Sequence, residues 1–446
     1  MINIKSILTI FSLFAVNMVY AADLTSIIEK SDIGRNATIA ISVKDTKNNK
    51  TVYEYNSHKL LNPASVQKIF TMKSAYSKLG ENFIFQTKTF KDSEDNLYIK
   101  LSADPTFTTG SLKSLLTATK EHGITKVNDV IIDPSIVDNK EWGIGWMWDD
   151  DTSFLLPKYS AFTINENNID INISTDKKNW KPLIKNNSNY DMQIVNMLNK
   201  GEKNKINIDR TPWKSNDTTY ISGVIKSGAN IKLPVNSTER HFTKILEKSI
   251  QDTGIQVQGI VKVAPIPTNA QSIATISSQP IEKILGTTLK NSNNLYSELI
   301  FKRASTQNSQ GSTEKAVEMF HKYYADIKSD KPIIVDACGI SRNNLISADW
   351  ITSALNKIYK EKDFAKFNIL LAKPMEGTLA DRLLNISLKL RAKTGTASNI
   401  STIAGYIDTQ NNKKYSFAIM IQNHNKPVIE VKKFEDLIIN EIYKIN

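Results

Sequence analysis

Two stretches near opposite ends of the chain alternate apolar and polar residues on both sides of a short polar turn. The first, ATIAISVKDTKNNKTVYEYN at 37–56, turns at DTKNNK, and the second, STIAGYIDTQNNKKYSFAIMIQN at 401–423, turns at TQNNKK. This alternation around an Asn-rich turn predicts a β-hairpin in each stretch. Hairpins at the two ends of a chain commonly share one sheet, so we expect a discontinuous domain.

Helical periodicity appears between the hairpins. Apolar positions recur every three or four residues in ASVQKIFTMKSAYSKLG, which ends at Gly80, and in QPIEKILGTTLKN at 279–291. The last residues, 427–446, are amphipathic, and we expect them to pack on the sheet rather than to lie on a membrane surface. Together these patterns predict an α+β domain, with helices flanking an antiparallel sheet.

The middle of the chain has a different texture. From about 85 to 265 it consists of short strand-like runs and Asn/Asp turns with few convincing long helices, which predicts large β-rich inserted domains. The expected organisation is listed by segment: a signal peptide at 1–21; a discontinuous catalytic domain at 22–84 and 266–446; inserted domain II at 85–160 and 226–265; inserted domain III at 161–225.

The first residues have the pattern of a secretory signal peptide. Lys5 precedes an apolar stretch at 7–19, and a small-residue cleavage site ends at Ala21. The stretch is interrupted by Asn17 and is shorter than the ~20 residues that cross a bilayer. We therefore expect an exported protein in a bacterial periplasm.

Composition narrows the chemistry. Cys338 is the only cysteine among 446 residues, which excludes an intramolecular disulfide and any zinc site built from several cysteines. The formal charge is +12, but the lysines are dispersed and no nucleic-acid-binding signature accompanies them. A solvated surface explains this charge, and attraction to an anionic polymer such as cell-wall material is the alternative.

Several enzyme classes are excluded by missing motifs. The sequence has no G-x-S-x-G, H-E-x-x-H, Walker or G-x-G-x-x-G motif, and its five histidines are scattered. The remaining chemistry is that of serine hydrolases with a lysine base, which carry S-x-x-K, S-x-N and K-[TS]-G.

The S-x-x-K motif occurs three times, and its context distinguishes the copies. Ser65 and Lys68 share a face of the first turn of the predicted helix that ends at Gly80, so a hydroxyl lies beside an amine. Ser174 is expected in a turn after a strand, and Ser312 is expected to cap the helix that follows it.

The other two motifs each occur twice. Ser292 and Asn294 stand between two predicted helices, in a loop that can present both side chains, and are preferred to Ser341. The triplet 393–395 follows both S-x-N candidates, whereas the triplet 226–228 precedes them. Only the first of these triplets has the order that the chemistry requires.

A lysine is protonated at neutral pH, because its reference pKa is near 10.4. Lys68 acts as a base only if burial and a nearby positive charge, here Lys393, favour its neutral form. The K-T-G lysine therefore has an electrostatic function even without touching substrate.

With these motifs in this order, the chain resembles the D-alanyl-D-alanine carboxypeptidases, and the long interval from Ser65 to Ser292 resembles the peptidase S13 family of low-molecular-mass penicillin-binding proteins of the DacB type. The segments ADPT, GWMWDD, DACGISR and EGTLADRL also resemble family segments. The chain departs from the family at three positions: Asn293 replaces the common Asp, and Ala337 and Cys338 replace the usual Gly and Ser. The last two changes could alter the geometry of the loop that carries them.

The resemblance implies a penicillin-binding, β-lactamase-like transpeptidase fold and a serine-type carboxypeptidase or D,D-endopeptidase acting through a Ser65 acyl-enzyme. It also implies a role for each site residue, listed as follows: Ser65, Lys68 and Ser292 are catalytic; Asn294, Lys393, Thr394, Gly395 and Thr396 bind substrate.

The implied partners are peptidoglycan stem peptides ending in D-Ala-D-Ala and β-lactam antibiotics. No metal or organic cofactor, no nucleic acid and at most peripheral membrane contact are implied. Two alternatives stay open: a β-lactamase, and a non-catalytic protein of the same fold that binds cell wall or senses β-lactams.

Overall fold

The structure is a computed structural model that describes residues 24–175, 182–186, 188, 190, 192–210, 218–306 and 309–445. The expected signal peptide at 1–21 and Lys177 of the second S-x-x-K motif lie outside these residues. Within the described ranges, no helix combines the length and the apolar character needed to cross a membrane.

The chain forms two compact units, and each unit is discontinuous in sequence. The first unit comprises Met1–Lys78, Leu285–Asn293 and Val317–Asn446, and the second comprises Leu79–Ile284 and Asn294–Ala316. The finer division of the insert into domains II and III remains a prediction.

A five-stranded antiparallel sheet forms the centre of the first unit. Its strand order is β16-β17-β18-β1-β2. The bounds of these strands are β1 Thr38–Asp45, β2 Thr51–Tyr55, β16 Leu390–Ala397, β17 Ile400–Asp408 and β18 Lys414–Gln422. Both predicted hairpins are confirmed, and they share this sheet. The K-T-G triplet lies in β16, a strand at the edge of the sheet.

Ten helices are labelled in chain order among the described residues. Their bounds are α1 Asp32–Asn36, α2 Lys68–Leu79, α3 Thr109–Glu121, α4 Thr238–Thr253, α5 Ile281–Asn291, α6 Asn294–Ala304, α7 Thr313–Tyr323, α8 Ala348–Tyr359, α9 Phe364–Asn368 and α10 Val428–Lys444. The helix predicted to end at Gly80 is confirmed, as a 3-10 turn at Ala64–Gln67 that continues into α2.

Helices cover both faces of the sheet in the first unit. On one face, apolar residues of α10 such as Val431 and Ile438 pack against strand residues such as Ile403 and Phe417. The terminal helix therefore packs on its own sheet, as predicted. On the other face, Thr352 of α8 shares a hydrogen bond with Ser42 of β1, with 2.7 Å between the hydroxyl oxygens.

The second unit contains several smaller sheets. A five-stranded sheet has the order β14-β6-β4-β3-β15, two three-stranded sheets have the orders β10-β11-β9 and β12-β7-β8, and β13 pairs with β5. The bounds are β3 Gln86–Lys91, β4 Leu97–Lys100, β5 Lys126–Val127, β6 Val130–Asp133, β7 Asn168–Thr175, β8 Pro182–Asn186, β9 Gln193–Lys200, β10 Lys205–Arg210, β11 Thr218–Ile225, β12 Ala229–Pro234, β13 Gln256–Val257, β14 Val261–Val263 and β15 Gln271–Ser277.

The second unit also contains two long helices, α3 and α4, although the sequence pattern of this region predicts few long helices. Both ends of α4 carry ordinary capping signals: at the start, the Ser237 hydroxyl accepts a hydrogen bond from the Arg240 N–H, and at the end, Gly254 adopts a φ of 73°. Ser174 also differs from expectation, because it lies within β7 rather than in a turn.

Candidate active site

The segment before Ser65 is held in an uncommon backbone conformation. Ala64 has a φ of 45°, a left-handed value that costs energy in a residue with a Cβ atom. The Asn62 side chain holds this conformation, because its Oδ1 accepts a hydrogen bond from the Ala64 N–H at 2.9 Å. Ser65 follows in the 3-10 turn, and 8% of its surface is exposed. The hydroxyl is therefore fixed in position at the edge of the interior.

Lys68 lies beside this hydroxyl. Its Nζ atom is 2.9 Å from Ser65 Oγ and donates a hydrogen bond to the Cys338 carbonyl oxygen at 2.8 Å. The Lys68 side chain has no exposed surface. The local reason is the spacing, because residues three apart at a helix start lie on the same face.

The loop that supplies the Cys338 carbonyl is organised by Asp336, a fully buried carboxylate. Its Oδ1 accepts hydrogen bonds from the Gly339 N–H at 2.8 Å and the Asn344 side chain at 2.8 Å. Its Oδ2 accepts from the Ser341 N–H at 2.7 Å. These bonds fold the loop into a compact turn against α2.

The same loop is attached to α2 through main-chain carbonyl groups. Thr71 donates to the Ala337 carbonyl at 2.8 Å, as Lys68 does to that of Cys338, and Gln67 donates to the Asp336 carbonyl at 2.6 Å. These contacts are made by backbone oxygens, so they do not depend on which side chains stand at positions 337 and 338.

Gly395 brings the edge strand against Ser65. A Cβ atom built on Gly395 would lie 2.8 Å from the Ser65 nitrogen and 2.9 Å from the Ala64 Cβ atom. Contacts this short do not occur for real side chains, so only glycine permits the approach. Thr402 lies opposite Gly395 on β17 and donates a hydrogen bond to the Pro63 carbonyl at 2.9 Å. This bond also holds the segment before Ser65 against the sheet.

Lys393 lies on the same strand face as Gly395, because alternate strand residues point the same way. Its side chain is fully buried, and its Nζ donates to the Thr394 carbonyl at 2.7 Å. Burial, followed by the neighbouring charge of Lys68, holds the pKa of Lys393 well below its usual range. Two lysines that share a buried site favour a state in which one amine is neutral.

The two threonines of the strand differ in exposure. Thr394 is 6% exposed, and its hydroxyl donates a hydrogen bond to the Thr378 hydroxyl at 2.7 Å. Thr396 is exposed and lies opposite Ser401 in the β16–β17 register.

The S-x-N motif lies in the short connection between α5 and α6. Ser292 is half-buried with a φ of 60° and belongs to the first unit, as do Ser65 and Lys68. Asn294 begins α6 in the second unit, where its Nδ2 donates to the Leu155 carbonyl at 2.9 Å. The roles of these two residues in the site remain predictions.

The rival motif copies have ordinary structural surroundings. Ser312 caps α7, as predicted, because its hydroxyl accepts a hydrogen bond from the Lys315 N–H at 3.2 Å. The 226–228 triplet connects β11 to β12. Ser341 is fully buried and is held by the Asp336 carboxylate.

Two polar residues of this region had no role in the sequence analysis. Asp336 folds the loop beside Lys68, and Thr378 contacts Thr394. Both lie in segments that resemble family segments, DACGISR and EGTLADRL. The family resemblance of these segments is the sequence signal that could have identified the two residues. Their contacts with the motif residues join positions far apart in the sequence, so spacing alone does not predict them.

Comparison with known proteins gives a consistent result along the chain. The profile of the D-Ala-D-Ala carboxypeptidase 3 (S13) family matches residues 20–436. The D-alanyl-D-alanine carboxypeptidase DacB of Haemophilus influenzae is 24% identical, over 99% of each chain. Penicillin-sensitive carboxypeptidase A of Dictyostelium discoideum is also 24% identical, over 85% of this chain and 82% of the relative.

A solved structure shows the same fold. The crystal structure of penicillin binding protein 4 from Haemophilus influenzae superposes with a TM-score of 0.84 at 22% identity, and the match covers 95% of this chain and 99% of that one.

Proposed function

Since the chain belongs to the D-Ala-D-Ala carboxypeptidase 3 (S13) family, we propose that it is a serine peptidase that removes the terminal D-alanine from peptidoglycan stem peptides. The observation that carries the proposal is the distance of 2.9 Å between Lys68 Nζ and Ser65 Oγ, next to the buried Lys393. This pairing supplies a nucleophile and a base without histidine.

Acylation begins when neutral Lys68 takes the proton of the Ser65 hydroxyl. The Ser65 oxygen attacks the carbonyl carbon of the penultimate D-alanine, and the bond to the terminal D-alanine nitrogen breaks. Ser292 relays a proton to the leaving amine. Burial and the neighbouring charge of Lys68 oppose the doubly charged lysine pair, so one of the two amines is neutral, and acylation uses the state in which that amine is Lys68.

Binding of the substrate follows from the edge position of β16. Beyond Ala392, whose N–H donates a hydrogen bond to the Ala372 carbonyl at 2.8 Å, this edge offers room for an extended peptide. Hydrogen bonds from Lys393, Thr394 and Thr396 would hold the terminal carboxylate of that peptide. Gly395 leaves space for this peptide.

The oxyanion that develops on the attacked carbonyl needs donors. The N–H groups of Ser65 and Thr396 are the candidates, and each such donor contributes about 3–4 kcal/mol in other hydrolases. Water then attacks the ester, the shortened peptide leaves, and Ser65 regains its proton. Penicillin acylates the same oxygen and leaves slowly.

The expected place of action is the periplasm. The proposal rests on the signal-peptide pattern at 1–21 and on the nature of the substrate, which lies outside the cytoplasmic membrane.

The test compares Ser65→Ala with Ser174→Ala, the same change at an exposed serine of another S-x-x-K copy. We expect Ser65→Ala to lose both labelling by a fluorescent penicillin and D-alanine release from a pentapeptide muropeptide, and Ser174→Ala to retain both. Labelling of Ser65→Ala at the normal stoichiometry would reject Ser65 as the nucleophile.

Product analysis separates the related activities. Free D-alanine from muropeptides indicates a carboxypeptidase, opened cross-links in purified peptidoglycan indicate an endopeptidase, and rapid turnover of a chromogenic cephalosporin indicates a β-lactamase. Stoichiometric labelling without any product indicates the non-catalytic alternative.

A further inference from the structure

The segment 376–382 connects three parts of the first unit. Near its start, Glu376 Oε2 lies 3.0 Å from Lys290 Nζ, two residues before Ser292. At its end, the Arg382 guanidinium donates to Glu435 at 2.9 Å and Asp436 at 2.6 Å on α10. Ion pairs at both ends therefore restrain the segment beside β16.

Close backbone packing restrains the segment further. Gly377 has a φ of 48°, and a Cβ atom built on it would lie 2.1 Å from the Lys290 carbonyl oxygen. A larger residue would push the segment away from the end of α5. The next residue, Thr378, is thereby placed against the edge strand.

The Thr378 hydroxyl has a hydrogen atom available for another partner. Thr394 is the donor in the hydrogen bond of 2.7 Å between the two hydroxyl groups, so Thr378 Oγ1 accepts. The Thr378 side chain is exposed, whereas Thr394 is buried. An accepted hydrogen bond also polarises a hydroxyl and strengthens the bond that it donates.

We propose that Thr378 is a further substrate-binding residue, whose hydroxyl donates to the terminal carboxylate of the peptide beside the K-T-G strand. Thr394, which gives its own hydroxyl proton to Thr378, then acts on the carboxylate through Thr378. This inference rests on the proposed function and deepens it, because it names a residue that selects for a free carboxylate. Carboxylate oxygens accept several hydrogen bonds, and a neutral hydroxyl adds one without adding charge beside Lys393.

A purely structural role would have a different consequence. The Thr378–Thr394 bond would then only hold the segment in place, and its loss would affect all substrates equally. The Lys290–Glu376 and Arg382–Asp436 contacts already restrain the segment at both ends. The exposed Thr378 between these contacts is therefore not needed to hold the segment, and its hydroxyl can distinguish a free carboxylate from an amide.

The test uses one acylated tripeptide ending in D-Ala-D-Ala and its C-terminal amide, with the full chain. We expect Thr378→Val to lower kcat/KM for the acid about tenfold or more, mainly through KM, and to leave kcat/KM for the amide unchanged. Thr378→Ser should restore selectivity. Thr51→Val is the control, since Thr51 is exposed in β2 at the opposite edge of the same sheet.

A binding measurement makes the inference independent of turnover. In the Ser65→Ala background, the acid should bind more tightly than the amide, and Thr378→Val should remove that difference. Loss of the difference without D-alanine release from the unmodified chain would support the carboxylate contact and reject the proposed function. An equal loss for acid and amide, or no loss for either, would overturn the inference.

Discussion

The Cα atom of Gly395 faces the Ser65 backbone nitrogen so closely that a Cβ atom there would lie 2.8 Å from it. The conformation of the nucleophile and the position of the edge strand are therefore mutually dependent. Any side chain at position 395 has to separate β16 from the 3-10 turn at Ala64–Gln67.

This contact predicts the effect of Gly395→Ala. Displacement of the strand by a fraction of an ångström misaligns the substrate and the oxyanion donors, so we expect penicillin acylation to slow by about 10²-fold. Gly286→Ala in α5 is the control, because its added Cβ atom meets Leu370 only at an ordinary 3.8 Å. Rapid acylation of Gly395→Ala would show that the strand can move without loss of geometry.

Removal of the proposed base should affect the chemical step directly. We expect Lys68→Met to slow acylation by about 10²–10⁴-fold, the usual contribution of a general base. The rate is measured by stopped-flow labelling with a fluorescent penicillin, beside Lys78→Met, which changes an exposed lysine of the same helix. Equal rates in the two variants would exclude Lys68 as the base.

The buried Lys393 should make the folded state less stable as the pH falls. Its folded-state pKa lies well below 10.5, so below that pH the unfolded chain binds a proton that the folded chain resists. We expect Lys393→Met to be more stable than the unmodified chain at pH 7, and the difference to shrink toward pH 10.

Denaturant unfolding at several pH values measures this difference. Lys433→Met, at an exposed lysine of α10, should show no such trend. A Lys393→Met variant that is less stable at neutral pH would mean that the contacts of this lysine outweigh the cost of its burial. The same variant should bind the acid tripeptide more weakly.

Glu435 gives a pH dependence of its own. Burial raises the pKa of this carboxyl to about 7, although the neighbouring Arg382 lowers it. The folded state then retains a proton that the unfolded chain releases near pH 4.5, so stability is greatest below that pH and falls as the pH rises to 7.

The matching variant is Glu435→Gln, which stays neutral. We expect its stability relative to the unmodified chain to rise by on the order of 3 kcal/mol between pH 4 and pH 8. A constant difference in the free energy of unfolding across this range would show that folding does not shift the pKa of Glu435.

Local patterns in the sequence determined much of the first unit. Alternation of apolar and polar residues around two Asn-rich turns predicted two hairpins, β1 with β2 and β17 with β18. The pattern is informative because successive side chains of a strand point to opposite faces of the sheet. The spacing of Ser65 and Lys68 predicted their contact for the same kind of local reason. The order of the three motifs selected Ser65 and Lys393 from rival copies.

Other features were decided only by the tertiary structure. The approach of Gly395 to Ser65 joins residues 330 positions apart, and the bond from Lys68 to the Cys338 carbonyl joins residues 270 positions apart. The low pKa of Lys393 depends on burial, which no sequence spacing encodes. Thr378 became a candidate for the same reason, because folding places its hydroxyl 2.7 Å from that of Thr394.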